Sequence, residues 1–372
     1  MRLKKFAAVL LSLAAFCLFA ASLGAPSAQA AGKKLRVAFL LYESIDDQGW
    51  NAAHHAGMMQ LKKQLGSQVE IAFTENVADS EHAERVLRDY AGKDFDLIFG
   101  TTVEYAEPIY KVSGEFSKVR FMHCSGARTR PNLGSYVVRI EQAEYLAGYM
   151  AGLMGFKNVG TVATLPIPDV VRGVNAFTLG LLRGLNESKT PHDPAKVNTV
   201  VWLNTWRDAK NENALAERLA VSGHDLIREM ADTSDSSKAA CRMGVPTIGY
   251  ATDSRKAGAE CALTSTTFEW GRLYVDVVKS VLAGTWKSQE LYAGFEAGGV
   301  GLAPFGEAVP KAVAAKVLAL KAKMAKGRDM SFAGPIVDQA GVERIGKGAK
   351  ASDKELLSMN WFVRGVSGTL PK

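Results

Sequence analysis

Short apolar runs alternate with amphipathic segments along most of the chain. A continuous apolar run suits a strand that is buried on both faces, and the first four strands are predicted at residues 36–42, 69–74, 95–100 and 119–123. Apolar residues at helical spacing lie between them, so helices are predicted at residues 49–65 and 81–91 and from about Glu104. Helices between strands make right-handed crossovers, and the pattern therefore predicts an α/β fold with a parallel sheet.

The same alternation resumes after a helix of different character. Residues 140–154 are apolar nearly all the way round and include small residues such as Gly148 and Gly152, which predicts a deeply buried helix. Further strands are predicted at residues 158–163, 197–203, 225–230 and 246–251, and further helices at 170–185, 208–221 and 236–243. Two α/β lobes of similar plan predict a clamshell with a ligand in the cleft between them.

The last part of the chain departs from this order. A strand is predicted at residues 262–267, a short extended segment at 300–303, and helices at 269–283 and 310–326. The tail from residue 334 has weak periodicity. We expect its apolar pair, Trp361 and Phe362, to pin the tail onto a lobe.

The amino terminus has the plan of a secretory signal peptide. A positive start is followed by an apolar run at residues 6–21 and by a small-x-small cleavage site at residues 28–30. We expect residues 1–30 to be removed and the mature chain to be periplasmic. Cys17 follows Phe16, where lipoprotein processing needs a small side chain, so a soluble protein is favoured over a lipid-anchored one.

Net charge and cysteine content narrow the possible classes of protein. The formal net charge is +7, but three of the positive charges lie in the leader, so the mature chain is only mildly basic and nucleic-acid binding is not indicated. Three cysteines remain after cleavage, and an exported compartment permits disulfides. Cys241 and Cys261 are the more plausible pair because they bracket a short predicted strand, and the odd count then leaves Cys124 as a thiol.

Signals for catalysis, metals and cofactors are weak. The chain has no G-x-S-x-G elbow, no P-loop and no G-x-G-x-x-G after the first strand. His54 and His55 are adjacent, so they point to different faces of a helix and do not form a metal site. We therefore expect a binding protein without a cofactor and not an enzyme.

Two tryptophans form the strongest candidate site. Trp50 lies in the stretch Asp46–Asn51 at the mouth of the first strand, and Trp206 follows a strand of the second lobe. Together they could clamp a flat ring across the cleft, since stacking contributes about 1–3 kcal/mol per base. The alternative is that both tryptophans pack the core.

Polar residues at other strand ends converge on the same crevice. The candidate set of ligand-binding residues is Tyr42, Asp47, Trp50, Asn51, Thr101, Trp206, Asp232, Thr233, Asp253 and Trp270. Each Asp or Thr could equally be a helix cap, and Trp270 is as well suited to hinge packing as to ligand contact.

At these residues the sequence resembles the basic membrane protein family, the purine-type substrate-binding proteins of bacterial ABC importers. The resemblance covers about residues 35–305 and rests on the order of the segments DDQGWNAAH, FTENV, LIFGTTVEY, PIPDVVRGVNAFTLG, VVWLNTWRDAKNENALAERLAVSGHDLI, MADTSDS, GYATDS, FEWGRLYV and LAGTWKSQ. It implies a type I periplasmic-binding-protein fold, with two doubly wound lobes joined by a three-segment hinge. It also implies capture of a purine base or nucleoside and delivery to a membrane permease with its ATPase.

The resemblance assigns roles to four residues. Trp50 and Trp206 would stack on the base, Asn51 would lie beside it, and Asp253 would hydrogen-bond its polar end. One position departs from the family: nucleoside-binding relatives carry an aspartate after the fourth strand, and this chain has Ser125-Gly126 there. The departure argues against a nucleoside, and the Trp-rich pattern favours a free purine base such as adenine.

The expected division of the chain follows from these patterns. The N-terminal lobe comprises residues 33–138 and about 268–303, the C-terminal lobe comprises 139–267 and about 304–335, and the tail of 336–372 packs on a lobe. A monomer is expected. Three alternatives stay open: the same receptor class for another small polar ligand or an autoinducer, an exported nucleoside hydrolase, and a sensor that docks to a receptor kinase.

Overall fold

The structure is a computed structural model that describes residues 33–371. The predicted signal peptide, with Cys17, lies outside the described residues. Leu35 begins one compact unit that contains both of the sheets described below.

The first sheet is parallel throughout. Its six strands are β1 (Leu35–Leu40), β2 (Val69–Thr74), β3 (Leu97–Gly100), β4 (Arg120–Cys124), β5 (Leu133–Val138) and β11 (Glu290–Ala293), in the spatial order β11-β5-β4-β3-β1-β2. The four strands predicted for this region are confirmed within a few residues. Neither β5 nor β11 was predicted, and β11 joins the edge of the sheet by pairing with β5 in parallel.

The second sheet repeats the plan and adds an antiparallel edge. Its strands are β6 (Val159–Ala163), β7 (Lys196–Trp202), β8 (Leu226–Met230), β9 (Thr247–Gly249), β10 (Ala262–Phe268), β12 (Val300–Leu302) and β15 (Gly365–Ser367), in the order β12-β10-β9-β8-β6-β7-β15. β12 pairs antiparallel with β10, so residues 300–302 belong to this sheet and not to the N-terminal lobe in which they were expected.

Helices connect successive strands and cover the faces of the sheets. They are α1 (Trp50–Leu65), α2 (Ser80–Gly92), α3 (Ala106–Glu115), α4 (Ile140–Leu153), α5 (Pro168–Ser188), α6 (Ala209–Val221), α7 (Asp235–Arg242), α8 (Trp270–Leu282), α9 (Lys311–Met324) and α10 (Asp353–Leu357). A two-stranded ribbon joins β13 (Ile336–Val337) and β14 (Glu343–Ile345). The predicted burial of α4 is confirmed, since nearly all of its residues are buried.

Small residues let α4 approach α5 closely. A methyl group added at Gly148 would collide with the Phe177 carbonyl oxygen, and one added at Gly180 would collide with the Tyr145 carbonyl oxygen. The backbones of the two helices therefore touch where these glycines lie. The two helices pack together against strands of the second sheet.

The chain passes between the two sheets three times. The passages lie between β5 and α4, between β10 and α8, and between β11 and β12. Arg139, in the first passage, lies over the ring of Tyr292 from β11 and pairs with Asp353 of α10. Buried Arg172 and Glu141 form an ion pair beside them. The hinge region is thus held by charged groups that are paired with one another.

The carboxyl-terminal tail is tied to the second sheet. β15 pairs with β7, and the ring of Phe362 stacks on Trp202 with centroids 6.2 Å apart. Asn175 of α5 donates a hydrogen bond to the Trp361 carbonyl oxygen. These contacts explain how Trp361 and Phe362 lie against the body of the molecule.

The cysteines are arranged as the spacing favoured. Cys241 and Cys261 form a disulfide that links the end of α7 to the start of β10. Cys124 is a free, buried thiol at the end of β4.

Candidate ligand-binding cleft

A cavity opens between the carboxyl ends of the two sets of strands. Its empty volume is about 600 Å³, including the mouth that is open to solvent. The first lobe contributes Tyr42, Glu43, Trp50, Asn51, Thr102, Val103 and Ser125. The second lobe contributes Thr164, Ile167, Asp169, Val170, Trp206, Asp232 and Tyr250. Every one of these residues follows the end of a strand or begins the next helix, which is where ligands bind in parallel α/β sheets.

The loop after β1 is organised by the buried carboxylate of Asp47. Its oxygens accept hydrogen bonds from the backbone N–H groups of Gly49, Asn51 and Ala52 at 2.7–2.9 Å. It also accepts one from the side-chain amide of Asn51 at 2.8 Å. Asp47 therefore caps α1, as one of its two predicted roles required, and does not line the cavity. The Oδ1 atom of Asn51 is buried without a hydrogen-bond partner.

Trp50 is held in place by an aromatic cluster. Its ring meets His54, Phe268 and Trp270 edge to face, with centroid distances of 4.9–5.5 Å. Its indole N–H donates to the Thr101 carbonyl oxygen at 2.9 Å. Burial lowers the pKa of His54 to about 3, so this imidazole is neutral within the cluster.

Thr101 and Trp270 support Trp50 without lining the cavity. The hydroxyl of Thr101 is buried and donates to the Leu40 carbonyl oxygen at 2.6 Å. Trp270 is fully buried and stacks on Phe268 with centroids 5.3 Å apart. The structure therefore favours hinge packing over ligand contact for Trp270.

Trp206 reaches the cavity from the loop between β7 and α6. Its indole N–H donates to the Glu104 carboxylate of the first lobe at 2.6 Å, so the contact crosses the cleft. The ion pair of Arg207 with Glu43 also joins the two lobes across the cleft, with 3.8 Å between its charged atoms. A further crossing bond joins the Thr252 hydroxyl to the Gln48 carbonyl oxygen at 2.5 Å. The lobes are thus in direct contact around the cavity, which is a closed arrangement.

Asp232 lies at the junction of the two tryptophan-bearing loops. Its backbone N–H donates to the Trp206 carbonyl oxygen at 3.3 Å. Its own carbonyl packs so tightly against Gly49 that a methyl group there would lie well under 3.0 Å away. Burial, followed by the nearby carboxylate of Asp47 and other acids, raises the pKa of Asp232 well above its ordinary value.

The remaining predicted residues lie elsewhere. Asp253 forms an ion pair with Arg255 at 3.1 Å and does not line the cavity. Thr233 is buried and donates to Glu212 of α6 at 2.5 Å. The cavity therefore brings together Tyr42, Trp50, Asn51, Trp206 and Asp232, while the other five predicted residues lie outside its lining.

Two carboxylates of the cavity lining, Glu43 and Asp169, were not predicted. Asp169, in the first turn of α5, accepts a hydrogen bond from the Ser125 hydroxyl at 3.0 Å and pairs with Arg172 at 2.9 Å. Ser125 occupies the place where relatives were expected to carry an aspartate. The structure supplies a carboxylate there from Asp169 of the opposite lobe. The only sequence signal for this role was the pair Pro168-Asp169 at the start of a predicted helix.

A larger cavity adjoins the first. It shares Val103, Ser125, Ile167 and Asp169 with the first cavity and extends to Tyr292 and to Asp353 of the tail. Its empty volume is about 1060 Å³. Among residues 33–371, no group of His, Cys, Asp and Glu side chains is placed to hold a metal ion, and no helix is long and apolar enough to span a membrane.

Two α/β lobes that meet over an aromatic and acidic cavity, with three passages between them, define the type I periplasmic-binding-protein fold. Residues 34–327 match the family model of PnrA-like ABC transporter substrate-binding proteins, called Bmp, and the chain belongs to this family. It is therefore the substrate-binding component of an ABC transporter, which presents a small molecule to a permease.

Relatives and solved structures agree with this family. The chain is 36% identical over 343 residues to a purine-binding protein of Brucella abortus, covering 92% of this chain and 95% of the relative. It is 33% identical to a putative ABC transporter glucose-binding protein of Haloferax volcanii, covering 91% and 82% of the two chains. A solute-binding protein structure from Conexibacter woesei superposes with a TM-score of 0.65 at 26% identity, covering 79% of this chain and 97% of the other.

Proposed function

We propose that this protein is an exported, monomeric receptor for a purine base or nucleoside, with an adenine-like base favoured. The observation that supports this proposal most directly is that Trp50 and Trp206 line one cavity from opposite lobes. Both indole N–H groups already donate to protein oxygens, so the rings offer the ligand their faces and leave polar recognition to other groups. The purine-binding relative supports this ligand class.

Binding and closure are coupled in this proposal. A flat base stacks on one tryptophan in the open cleft, and closure brings the second tryptophan over its other face. The contacts of Trp206 with Glu104 and of Thr252 with Gln48 join opposite lobes, so only the closed form makes them. A ligand that adds contacts in this form shifts the population towards it, and the permease then receives a closed, loaded receptor.

Calorimetry on ligand-free protein tests the ligand class. The panel contains adenine, guanine, hypoxanthine, xanthine, their nucleosides, and glucose. We expect a purine to bind far more tightly than millimolar, and the purine proposal fails if none does. The adjoining cavity offers space for a ribose, so the panel also separates a base receptor from a nucleoside receptor.

Trp206→Ala tests the clamp. Loss of one stacking face costs about 1–3 kcal/mol, which weakens binding by about 5- to 150-fold. Trp202→Ala is the matched control, because Trp202 lies four positions earlier, packs on Phe362 and does not line the cavity. Unchanged affinity in Trp206→Ala would remove this ring from the site.

The relative named for glucose favours a second candidate, a sugar receptor. Aromatic faces flanked by carboxylates also suit a sugar ring, and the glucose arm of the panel decides between the two. Release of a free base from inosine would instead support a nucleoside hydrolase.

A further inference from the structure

The position of Asp232 makes it the group best placed to recognise a base held between the tryptophans. The inference below rests on the proposed purine function. The Asp232 backbone contacts the Trp206 carbonyl on one side and Gly49, the residue before Trp50, on the other. Asp232 is also one of the residues that line the cavity. A ring stacked on either tryptophan would then have its edge near this residue.

The surroundings of Asp232 are acidic. The titratable groups that face it are Asp47 and Glu43 from the β1 loop, Glu104 from the loop after β3, Glu212 from α6, and Tyr250 from the loop after β9. One of these acids, Glu43, is paired at 3.8 Å with Arg207, which is 44% exposed. None of the described residues that line the cavity is Lys, Arg or His. Burial and these acids together oppose ionisation of Asp232 and raise its pKa.

We propose that Asp232 binds the ligand as a neutral carboxylic acid and thereby selects a heteroaromatic edge with a hydrogen-bond donor beside an acceptor. A carboxylic acid offers one O–H donor and one carbonyl acceptor. The exocyclic amine and adjacent ring nitrogen of adenine complement this pair. An ionised carboxylate has no donor for the ring nitrogen of adenine. Guanine can pair with either form, because its N1–H lies between the O6 acceptor, which suits the neutral acid, and the 2-amino donor, which suits a carboxylate.

One unpartnered acceptor fits the same ligand class. The Oδ1 atom of Asn51, a residue of the cavity lining, is buried without a hydrogen bond, while the Oε2 atom of Glu43 is paired with Arg207. A ligand that leaves the Asn51 oxygen unpaired loses affinity, because a buried unsatisfied polar group is unfavourable. An N–H group of a neutral base can satisfy it, whereas nucleotides and anionic purines would bring negative charge among several carboxyl groups.

The test measures adenine binding by calorimetry in wild type, Asp232→Asn and Asp232→Ala, between about pH 5.5 and 8.5. Asn is the conservative variant, since its amide also offers a donor beside an acceptor. Asp232→Asn should keep most of the adenine affinity, and Asp232→Ala should lose about tenfold or more.

The pH dependence has a defined sign. The neutral acid is present below the pKa of Asp232 and is lost above it, so adenine affinity in wild type must not rise with pH. Asp232→Asn should remove any decline. Asp276→Asn, which alters an exposed acid on α8, controls for charge alone.

Two results would overturn the inference: adenine affinity that rises with pH, or equal losses in the Asn and Ala variants. Each leaves a purine receptor in place. If no purine binds wild type, the proposed function itself has failed.

Discussion

Gly49→Ala places a methyl group where the two lobes meet. A Cβ atom on residue 49 would lie well under 3.0 Å from the Asp232 carbonyl oxygen, which belongs to the opposite lobe. The obstruction comes from backbone, so a side-chain rotation cannot relieve it. The lobes must separate locally, and the collision arises only when the cleft is closed.

The size of the effect follows from the cost of overpacking. Extra methyl groups in well-packed sites typically destabilise by about 1–3 kcal/mol. Here that cost falls on the closed form, which the ligand needs, and it corresponds to about 5- to 150-fold weaker binding. Calorimetry with the tightest purine of the panel measures the loss. Small-angle scattering at saturating ligand should show a larger radius of gyration than in wild type.

Gly92→Ala is the matched control. Gly92 is exposed at the end of α2, and a methyl group there has no neighbouring atom within 4 Å. Thermal unfolding without ligand checks that both variants fold. Wild-type affinity and compactness in a folded Gly49→Ala protein would refute the view that this closed contact accompanies ligand binding.

Two further predictions concern acidic residues, one at the cleft and one in the buried strand β8. Glu104→Gln weakens the acceptor for the Trp206 indole N–H, and because bonds to charged groups contribute about 1.5–3 kcal/mol, we expect roughly tenfold faster ligand dissociation by stopped-flow fluorescence. Wild-type dissociation rates would contradict that role. Burial raises the pKa of Glu229 from 4.5 to about 8, so the unfolded chain ionises this group first and the free energy of unfolding should fall as pH rises between those values. In urea titrations, the free energy of unfolding of Glu229→Gln should fall over this pH range by a few kcal/mol less than that of wild type. The same fall in both proteins would be inconsistent with a buried acid at Glu229.

The repeated elements of the fold are readable in the sequence because their periodicity is local. Strands buried on both faces and the apolar helix α4 were predicted close to their observed bounds. β5 contains a glycine and follows a proline, and β11 is a four-residue strand whose partner lies far away in the sequence. Their pairing depends on tertiary contacts that no local pattern contains.

The site was predictable in part for the same reason. Trp50 and Trp206 could be placed at strand ends, and both line the cavity. Asp47 and Thr101 sit at equally favourable positions, but their side chains turn inward to a helix cap and to the Leu40 carbonyl oxygen. Asp169 comes from a helix start on the opposite lobe, and its meeting with Ser125 depends on how the lobes close.

The central claim is that a purine base lies between Trp50 and Trp206 in the closed cleft. A crystal structure of the protein with adenine tests it most directly. The account predicts ring stacking on both indoles, with the amine and an adjacent ring nitrogen facing Asp232. Adenine bound outside this cavity, or in it with neither tryptophan in contact, would contradict the account.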